Sequence, residues 1–483
     1  MAPPSGLKRE TIPRRKHITG GMPVDALRAT IPTCRRCCQA RPRQAQDIFR
    51  MAITSCVCYR CAGTQPQKTA LHRTDFRHDH MTPATPYALS PAFEQILARQ
   101  CGWVEPFSGP VLARLAAGVK KIADIYTGGR EPCAAFADPA LRASYAAYYL
   151  PCNAVKLFPV LRELERCRSV LGRGPRLRVL DLGCGPGTLI AGLLDFCMQH
   201  GKKAALELDI TAIDRDGGNC SSARELIQAY CAAAPEAPAV TAVHILTGDV
   251  HRLAMSAESG FDLIMAGNLV NELSADRHAA ISRRIRALLK PDGIVIILDP
   301  GTHQSFKNLL QFRQELLGAQ EIHLLAPCLQ PGSCPLQHCP DAWCHEKLCW
   351  SPPGLVRLID ERTGFTKHKG VKFSYLVATR GASPARPCEG DKLWRVVSYV
   401  IRNKGEERLY VCNGRERRLL RRLARITSAA SADFSVSERG DSVTVTGAEP
   451  RNGFFDIGPD AVFRKSSCQA LPGTLAAHLN QPC

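Results

Sequence analysis

Two hydrophobic rhythms divide the chain. Between residues 81 and about 170, apolar positions recur at helical spacing over 91–100, 111–126 and 140–164, with breakers at Gly128, Gly129 and Pro132. From Arg176 the rhythm becomes one of short apolar runs, at 178–182, 206–213, 240–246, 262–266 and 293–298, separated by helical stretches. Strand alternating with helix predicts an α/β fold, a doubly wound, Rossmann-like parallel sheet preceded by an N-terminal helical subdomain. A helix over about 304–317, a Cys-rich loop at 326–350 and a returning strand at 371–379 complete this part. Beyond 392, strand-like runs at 394–401, 408–412 and 441–445 predict a small β-rich module. The expected organisation is therefore a Cys-rich extension over 1–80, helices over 81–170, the sheet domain over 171–380 and the β module over 391–483.

Composition narrows the class. The 483 residues are 45% hydrophobic, enough to fill real cores, and no run of about 18 uncharged apolar residues appears. Lys8, Arg9, Arg14, Arg15 and Lys16 are not followed by an apolar secretory stretch, so a non-membrane, non-secreted protein is expected, a monomer when free. The net charge of +19 is concentrated: residues 1–80 hold 15 Lys/Arg against 5 Asp/Glu, and residues 391–426 hold 11 against 4. Basicity confined to two appended segments points to nucleic-acid-facing surfaces, with a solvated tail as the bland reading. Without a secretory signal, the 23 cysteines favour metal or iron-sulfur binding over disulfides.

The segment Leu180-Asp-Leu-Gly-Cys-Gly-Pro-Gly-Thr188 follows an apolar strand and opens a helix. Gly183, Gly185 and Gly187 allow a tight turn whose backbone a ligand approaches closely. The loop resembles motif I of S-adenosylmethionine (SAM) dependent methyltransferases of class I, which implies that Asp181 helps position the methionyl part of SAM. Asp214 ends the second strand, suited to accept from two ribose hydroxyls, and Asp249 follows the third, where such proteins cover the adenine amino group. An NAD-binding Rossmann domain shares the loop and the ribose acid, and a non-binding relic of the fold is the other alternative. After the fourth strand, Gly267-Asn-Leu-Val-Asn-Glu-Leu273 offers Asn268, Asn271 and Glu272. It carries neither the Pro-Pro-aromatic pattern of base amino-methylases nor a cysteine nucleophile, so no catalytic residue is assigned. Asn268 and Glu272 read equally well as capping and solvent-facing residues.

Cys328, Cys334, Cys339 and Cys344, with His338 and His345, crowd a Pro/Gly-rich loop that has little apolar content to hold it together; Cys349 follows. Thiolate coordination supplies folding free energy to such segments. The absence of Cys-x-x-Cys pairs here speaks against an ordinary zinc ribbon.

Several segments together resemble the methyltransferase-like proteins of the small ribosomal subunit, which include the mitochondrial assembly factor methyltransferase-like protein seventeen and its bacterial relatives. They are Ser144-Tyr-Ala-Ala-Tyr-Tyr-Leu-Pro151, the glycine loop, Leu298-Asp-Pro-Gly-Thr302, Ala326-Pro-Cys with Cys334-Pro, Asp341-Ala-Trp-Cys-His345 and Lys372-Phe-Ser-Tyr-Leu376. The resemblance spans most of 85–425. It implies a four-iron, four-sulfur (4Fe-4S) cluster on Cys328, Cys334, Cys344 and Cys412, with Cys339 and Cys349 as competing thiols and zinc as the other candidate. It also implies action on the small ribosomal subunit or its rRNA, by methylation or as a non-catalytic assembly factor that keeps the fold.

Cys412 leads into Arg415-Glu-Arg-Arg-Leu-Leu-Arg-Arg-Leu-Ala-Arg425, whose arginines could meet phosphates; as a solvated helix they would meet only water. In the N-terminal segment Cys34, Cys37, Cys58 and Cys61 stand close to zinc-ribbon spacing, blurred by Cys38 and Cys56. The compartment expected is a bacterial cytoplasm. A mitochondrial matrix is the alternative, since an Arg-rich, acid-poor N-terminus also fits a presequence.

Overall fold

The computed structural model describes residues 87–100, 108–128, 138–167, 174–200, 206–233, 238–252, 260–381 and 392–466. The N-terminal cysteines, and the reading of 1–80 as a basic extension, fall outside the described residues.

A mixed sheet forms the centre. Its strands are β2 (Arg176–Leu182), β3 (Glu207–Asp214), β4 (Ala239–Thr247), β5 (Phe261–Gly267), β6 (Leu289–Pro300), β7 (Ile322–Ala326) and β10 (Val371–Arg380), in the order β4-β3-β2-β5-β6-β10-β7. The first five are parallel, and β10 runs antiparallel between β6 and β7. In β2, Leu177 and the four residues Val179 to Leu182 are all buried, the near-continuous apolar reading of a strand covered on both faces. The chain runs outward from β2 to β3 and β4, then returns to β5 on the other side. The reversal between β2 and β5 opens a cleft at the carboxyl ends of these strands, where ligands of such sheets bind.

Helices α1 (Pro91–Gln100), α2 (Gly109–Thr127), α3 (Pro139–Ala154) and α4 (Leu157–Cys167) share one continuous apolar core with α5 (Thr188–Gln199), α6 (Gly217–Ala233) and one face of the sheet. Helices α7 (Ala275–Leu288) and α8 (His303–Leu317) cover the other face. The expected helix over 140–164 is two helices. Asp138 caps α3 by accepting from Ala140 N, and the turn at Val155 and Lys156 breaks the run before α4 starts.

Between β7 and β10 the chain makes the Cys-rich loop, β8 (Glu346–Leu348), β9 (Trp350–Ser351) and α9 (Gly354–Thr363); β8 pairs antiparallel with β10. The last described part is a second sheet of β11 (Leu393–Val396), β12 (Ile401–Asn403), β13 (Glu406–Cys412), β14 (Arg417–Leu423), β15 (Ser442–Thr446), β16 (Glu449–Arg451), β17 (Phe454–Asp456) and β18 (Val462–Lys465). It has its own core, built on Trp394, Leu409, Leu420, Phe434 and Phe463. The Arg-rich segment is strand β14, paired with β13 along seven residues, and the expected run at 394–401 is divided between β11 and β12.

Candidate functional site

The carboxyl ends of five neighbouring parallel strands each carry an acid or amide, Asp181, Asp214, Asp249, Asn268 and Asp299 in chain order. At the glycine loop, Gly183, Gly185 and Gly187 have φ of 67°, 52° and 85°, in the left-handed region. A Cβ on Gly187 would lie 3.2 Å from Ala223 Cα, so that glycine lets α5 start close against α6. A Cβ on Gly185 would meet no atom within 4 Å: the space beside it is open cleft.

Asp181, at the end of β2, is fully buried, and neither carboxylate oxygen has a partner. Burial, reinforced by Asp214, pushes its pKa up to about 8. An orphaned buried acid costs stability, and a cationic ligand group would satisfy it. Asp214, ending β3, is fixed on both oxygens: Oδ2 accepts from Gly185 N at 2.9 Å, and Oδ1 accepts from Asp216 N at 2.9 Å and Asn219 Nδ2 at 3.3 Å. Asp249, after β4, accepts from His251 N at 2.8 Å. Burial works against its ionisation, but the His251 N–H and the charges of His251, Arg215 and Arg277 hold its carboxyl low.

After β5, Asn268 takes φ of 55°, uncommon for a residue with a side chain. The Asn271 amide, oriented to satisfy its surroundings, donates to the Asn268 carbonyl at 2.9 Å and to Asp299 Oδ1 at 3.0 Å. Asp299, in β6, is fully buried with Oδ2 unpartnered; burial raises its pKa to about 7, against the Asn271 hydrogen bond and with Glu272 adding to the rise. Glu272 is an exposed residue, but surrounding protein lifts its carboxyl to about 7, opposed by Arg215 and reinforced by Asp214. Lys156, in the turn between α3 and α4, completes this group: burial and nearby Lys367 lower its pKa to about 7, and its Nζ donates to Asn153 Oδ1 at 2.6 Å.

A second site lies behind the first. Cys328, Cys334, Cys344 and Cys412 line one cavity of about 80 Å³, whose other walls include Phe306, Leu310, Leu336 and Val397. Cys339 and Cys349 do not line it. Burial pushes Cys334 up to about 11 and Cys412 up to about 12, and Cys344 higher still, with neighbouring thiols adding to each rise. Among the described residues no three His, Cys, Asp or Glu side chains are arranged to hold a single metal ion.

Cys412 reaches this cavity because the turn after β13 docks on the loop. Gly414 (φ 90°) lies so close to Gln330 that a Cβ there would come within 3.0 Å of its backbone N, and Arg415 Nε donates to Gln330 Oε1 at 2.8 Å. Leu298-Asp-Pro-Gly-Thr302 joins the two sites: Asp299 Oδ1 accepts from the Asn271 amide, and the Gly301 carbonyl accepts from Trp343 Nε1 of the Cys-rich loop at 3.1 Å. Thr302 caps α8 by accepting from Ser305 N at 3.2 Å.

Sequence reasoning placed Asp181, Gly183, Gly185, Gly187, Asp214, Asp249 and Asn268 on the strand ends, and all line this region of the fold. It passed over Asp299 and Lys156; Glu272, read as capping or solvent-facing, is exposed. An acid directly after the apolar run of β6 was the available signal for Asp299. The β14 arginines are largely engaged within the protein. Arg421 pairs with Asp456 at 2.7 Å, Arg422 with Glu407 at 2.8 Å and Arg418 with Glu416 at 2.6 Å, while Arg417 stacks 3.8 Å over Tyr410.

The strand order, the reversed β10 and the glycine loop define a class I methyltransferase-type fold. The profile of the family described as mitochondrial small ribosomal subunit Rsm22 matches residues 145–430, more than half of the sequence, and the chain belongs to that family. A comparison with curated proteins gave no match. Among solved structures, the chain is similar to SAM-bound magnesium protoporphyrin IX methyltransferase of Synechocystis PCC 6803, at 14% identity over 47% of this chain and 84% of that one, TM-score 0.26. TrmN of Thermus thermophilus gives 16%, 49%, 53% and 0.28, and a TehB-like SAM-dependent methyltransferase of Corynebacterium glutamicum gives 16%, 56%, 99% and 0.27. These are distant likenesses in fold, and the strand order itself defines the class.

Proposed function

We propose that this protein binds SAM in the glycine-loop cleft, carries a 4Fe-4S cluster on Cys328, Cys334, Cys344 and Cys412, and serves the small ribosomal subunit. The observation that carries the SAM assignment is Asp181, a fully buried carboxylate with no partner beside an open glycine turn. The ammonium of the methionyl moiety would satisfy it, Asp214 keeps lone pairs for ribose hydroxyls, and Asp249 would face the adenine. Asn268 closes the other side of the cleft. SAM would supply a methyl group on a sulfonium.

Four cysteines lining one largely apolar cavity would supply the four thiolates that a 4Fe-4S cluster takes, and this supports the cluster over zinc. The cluster would tie the Cys-rich loop to the β module. The family's ribosomal name supports the small subunit as partner. It leaves two roles, methylation of rRNA or assembly without catalysis, and two compartments, a bacterial cytoplasm or the mitochondrial matrix. No described helix is long and apolar enough to cross a membrane.

The test is anaerobic purification followed by iron, sulfide and zinc analysis of wild type and Cys328→Ser, with calorimetric titration of SAM into wild type and Asp181→Asn/Asp214→Asn. Iron and sulfide near four each, lost in the cysteine variant, together with SAM binding lost in the acid variant, support the reading. Stoichiometric zinc without iron removes the cluster assignment, and SAM binding unchanged in the double variant removes the pocket.

A further inference from the structure

Two lysines with no carboxylate partner among the described residues stand together outside both sites. Lys372 of β10 and Lys347 of β8 stand directly opposite each other in antiparallel register. Like charges in that relation destabilise a strand pair. Lys372 is exposed, and among the described residues no carboxylate is paired with either lysine. After desolvation, the groups that depress the Lys372 pKa are all cations: Lys347, Arg439 and Lys367. Fold stability alone gives no reason for this arrangement.

An aromatic ring lies beside these charges. Tyr399, in the β11–β12 connection, is 53% exposed, and Lys347 Nζ sits 5.7 Å from its ring centroid. Ile401, two residues on, is 39% exposed. Cations able to meet phosphates, next to an open aromatic face able to take a base, form the chemistry of single-stranded nucleic-acid binding. A duplex keeps its bases stacked and offers nothing to the tyrosine. The β14 arginines compete poorly for this role, since Arg418, Arg421 and Arg422 are neutralised by Glu416, Asp456 and Glu407.

The geometry points to the surface formed by Lys347, Lys372 and Tyr399 as the contact for single-stranded RNA, with a base stacked on Tyr399 and phosphates on the two lysines. The choice of RNA rests on the small-subunit reading above; the location of the contact does not.

The test is fluorescence anisotropy of the full chain with a labelled, mixed-sequence single-stranded RNA of about 12 nucleotides, measured across salt concentrations. Tyr399→Ala should weaken binding by roughly 5- to 150-fold, the value of one lost stack, and Tyr399→Phe should restore it. Lys347→Ala/Lys372→Ala should reduce the slope of log affinity against log salt by about 1.4, two single-strand phosphate contacts. Lys120→Ala/Lys121→Ala, on α2, should bind as wild type does. If wild type binds RNA and the patch variants bind equally well, the patch is overturned and the ribosomal reading survives. If wild type binds no RNA at low salt, both fall. If poly-glutamate binds in a patch-dependent way and RNA does not, the surface belongs to an acidic protein partner and the proposal is overturned.

Discussion

Arg395 of β11 donates to Glu163 of α4 at 2.6 Å, joining the β module to a helix that packs on the central sheet. The pair is nearly dry, with side-chain exposures of 7% and 19%, and Tyr375 Oη of β10 closes a triad: it donates to Glu163 at 2.7 Å and accepts from Arg395 at 2.8 Å. Breaking a buried ion pair strands the remaining charge, at about 3–5 kcal/mol. Glu163→Ala is therefore expected to lower the denaturant midpoint sharply. The double variant Glu163→Ala/Arg395→Ala should cost less than the sum of its parts, and additive costs would mean that the two residues do not interact.

The buried carboxyl of Asp181 makes stability depend on pH in a defined direction. Its folded pKa, raised to about 8, lies above the unfolded value near 4. Between those values the native state holds the proton and the unfolded state does not, so the contribution is full below about pH 4 and is lost as pH rises through about 8. Asp181→Asn should accordingly be more stable than wild type at pH 8, by on the order of a few kcal/mol, and so melt higher, while losing SAM binding. A variant that melts lower, or whose pH profile matches wild type, would remove the orphaned-charge account.

Gly185 separates ligand binding from folding. Alanine at φ of 52° costs about 1–2 kcal/mol, and its Cβ would meet no protein atom. Gly185→Ala should therefore melt only slightly below wild type yet bind SAM about tenfold more weakly or worse, because the methyl enters the cleft. Gly187→Ala should lose more stability, since its Cβ presses on α6. Equal stability losses for the two variants would contradict this division.

Six described cysteines of the C-terminal half, Cys328, Cys334, Cys339, Cys344, Cys349 and Cys412, divide into two groups. Cys412→Ser should lose iron as Cys328→Ser does, and should make the chain more susceptible to protease between β10 and β11. Cys349→Ser, at an exposed position off the cavity, should keep full iron content. Equal loss from both variants would show that cavity position does not decide ligation.

Much of the fold was legible because burial on both faces leaves a near-continuous apolar record in the central parallel strands β2, β3, β5 and β6, while edge strand β4 is largely exposed. The glycine loop was legible because its backbone angles exclude other residues. The break at Val155 and Lys156 was not read, although Pro159 in the first turn of α4 is a start signal, because Pro151 inside α3 shows that a proline in this stretch need not interrupt a helix. The role of the β14 arginines was hidden because their partners, Asp456 and Glu407, are distant in sequence or on the neighbouring strand. For the same reason, spacing alone could not choose among the thiols: the fold decides that Cys339 stays outside the cavity while Cys412 is carried into it by the Gly414 turn. Asp299 and Lys156 gain their meaning only from a shared cleft.

The wall of the thiol cavity that Cys412 supplies also has a temporal meaning. Cys344 and Cys412 are separated by 68 positions (344 to 412); Cys344 lies in the loop before β8 and Cys412 ends β13 of the second sheet. At 5–20 residues per second, a ribosome needs about 3–14 s to cover that stretch, and the strands around Cys412 must then pair before the cavity is enclosed. During that interval the loop thiols stand open, and a chain interrupted before the last module never closes them. Enclosure of the cavity thus records that synthesis has reached the C-terminal sheet and that the sheet has docked.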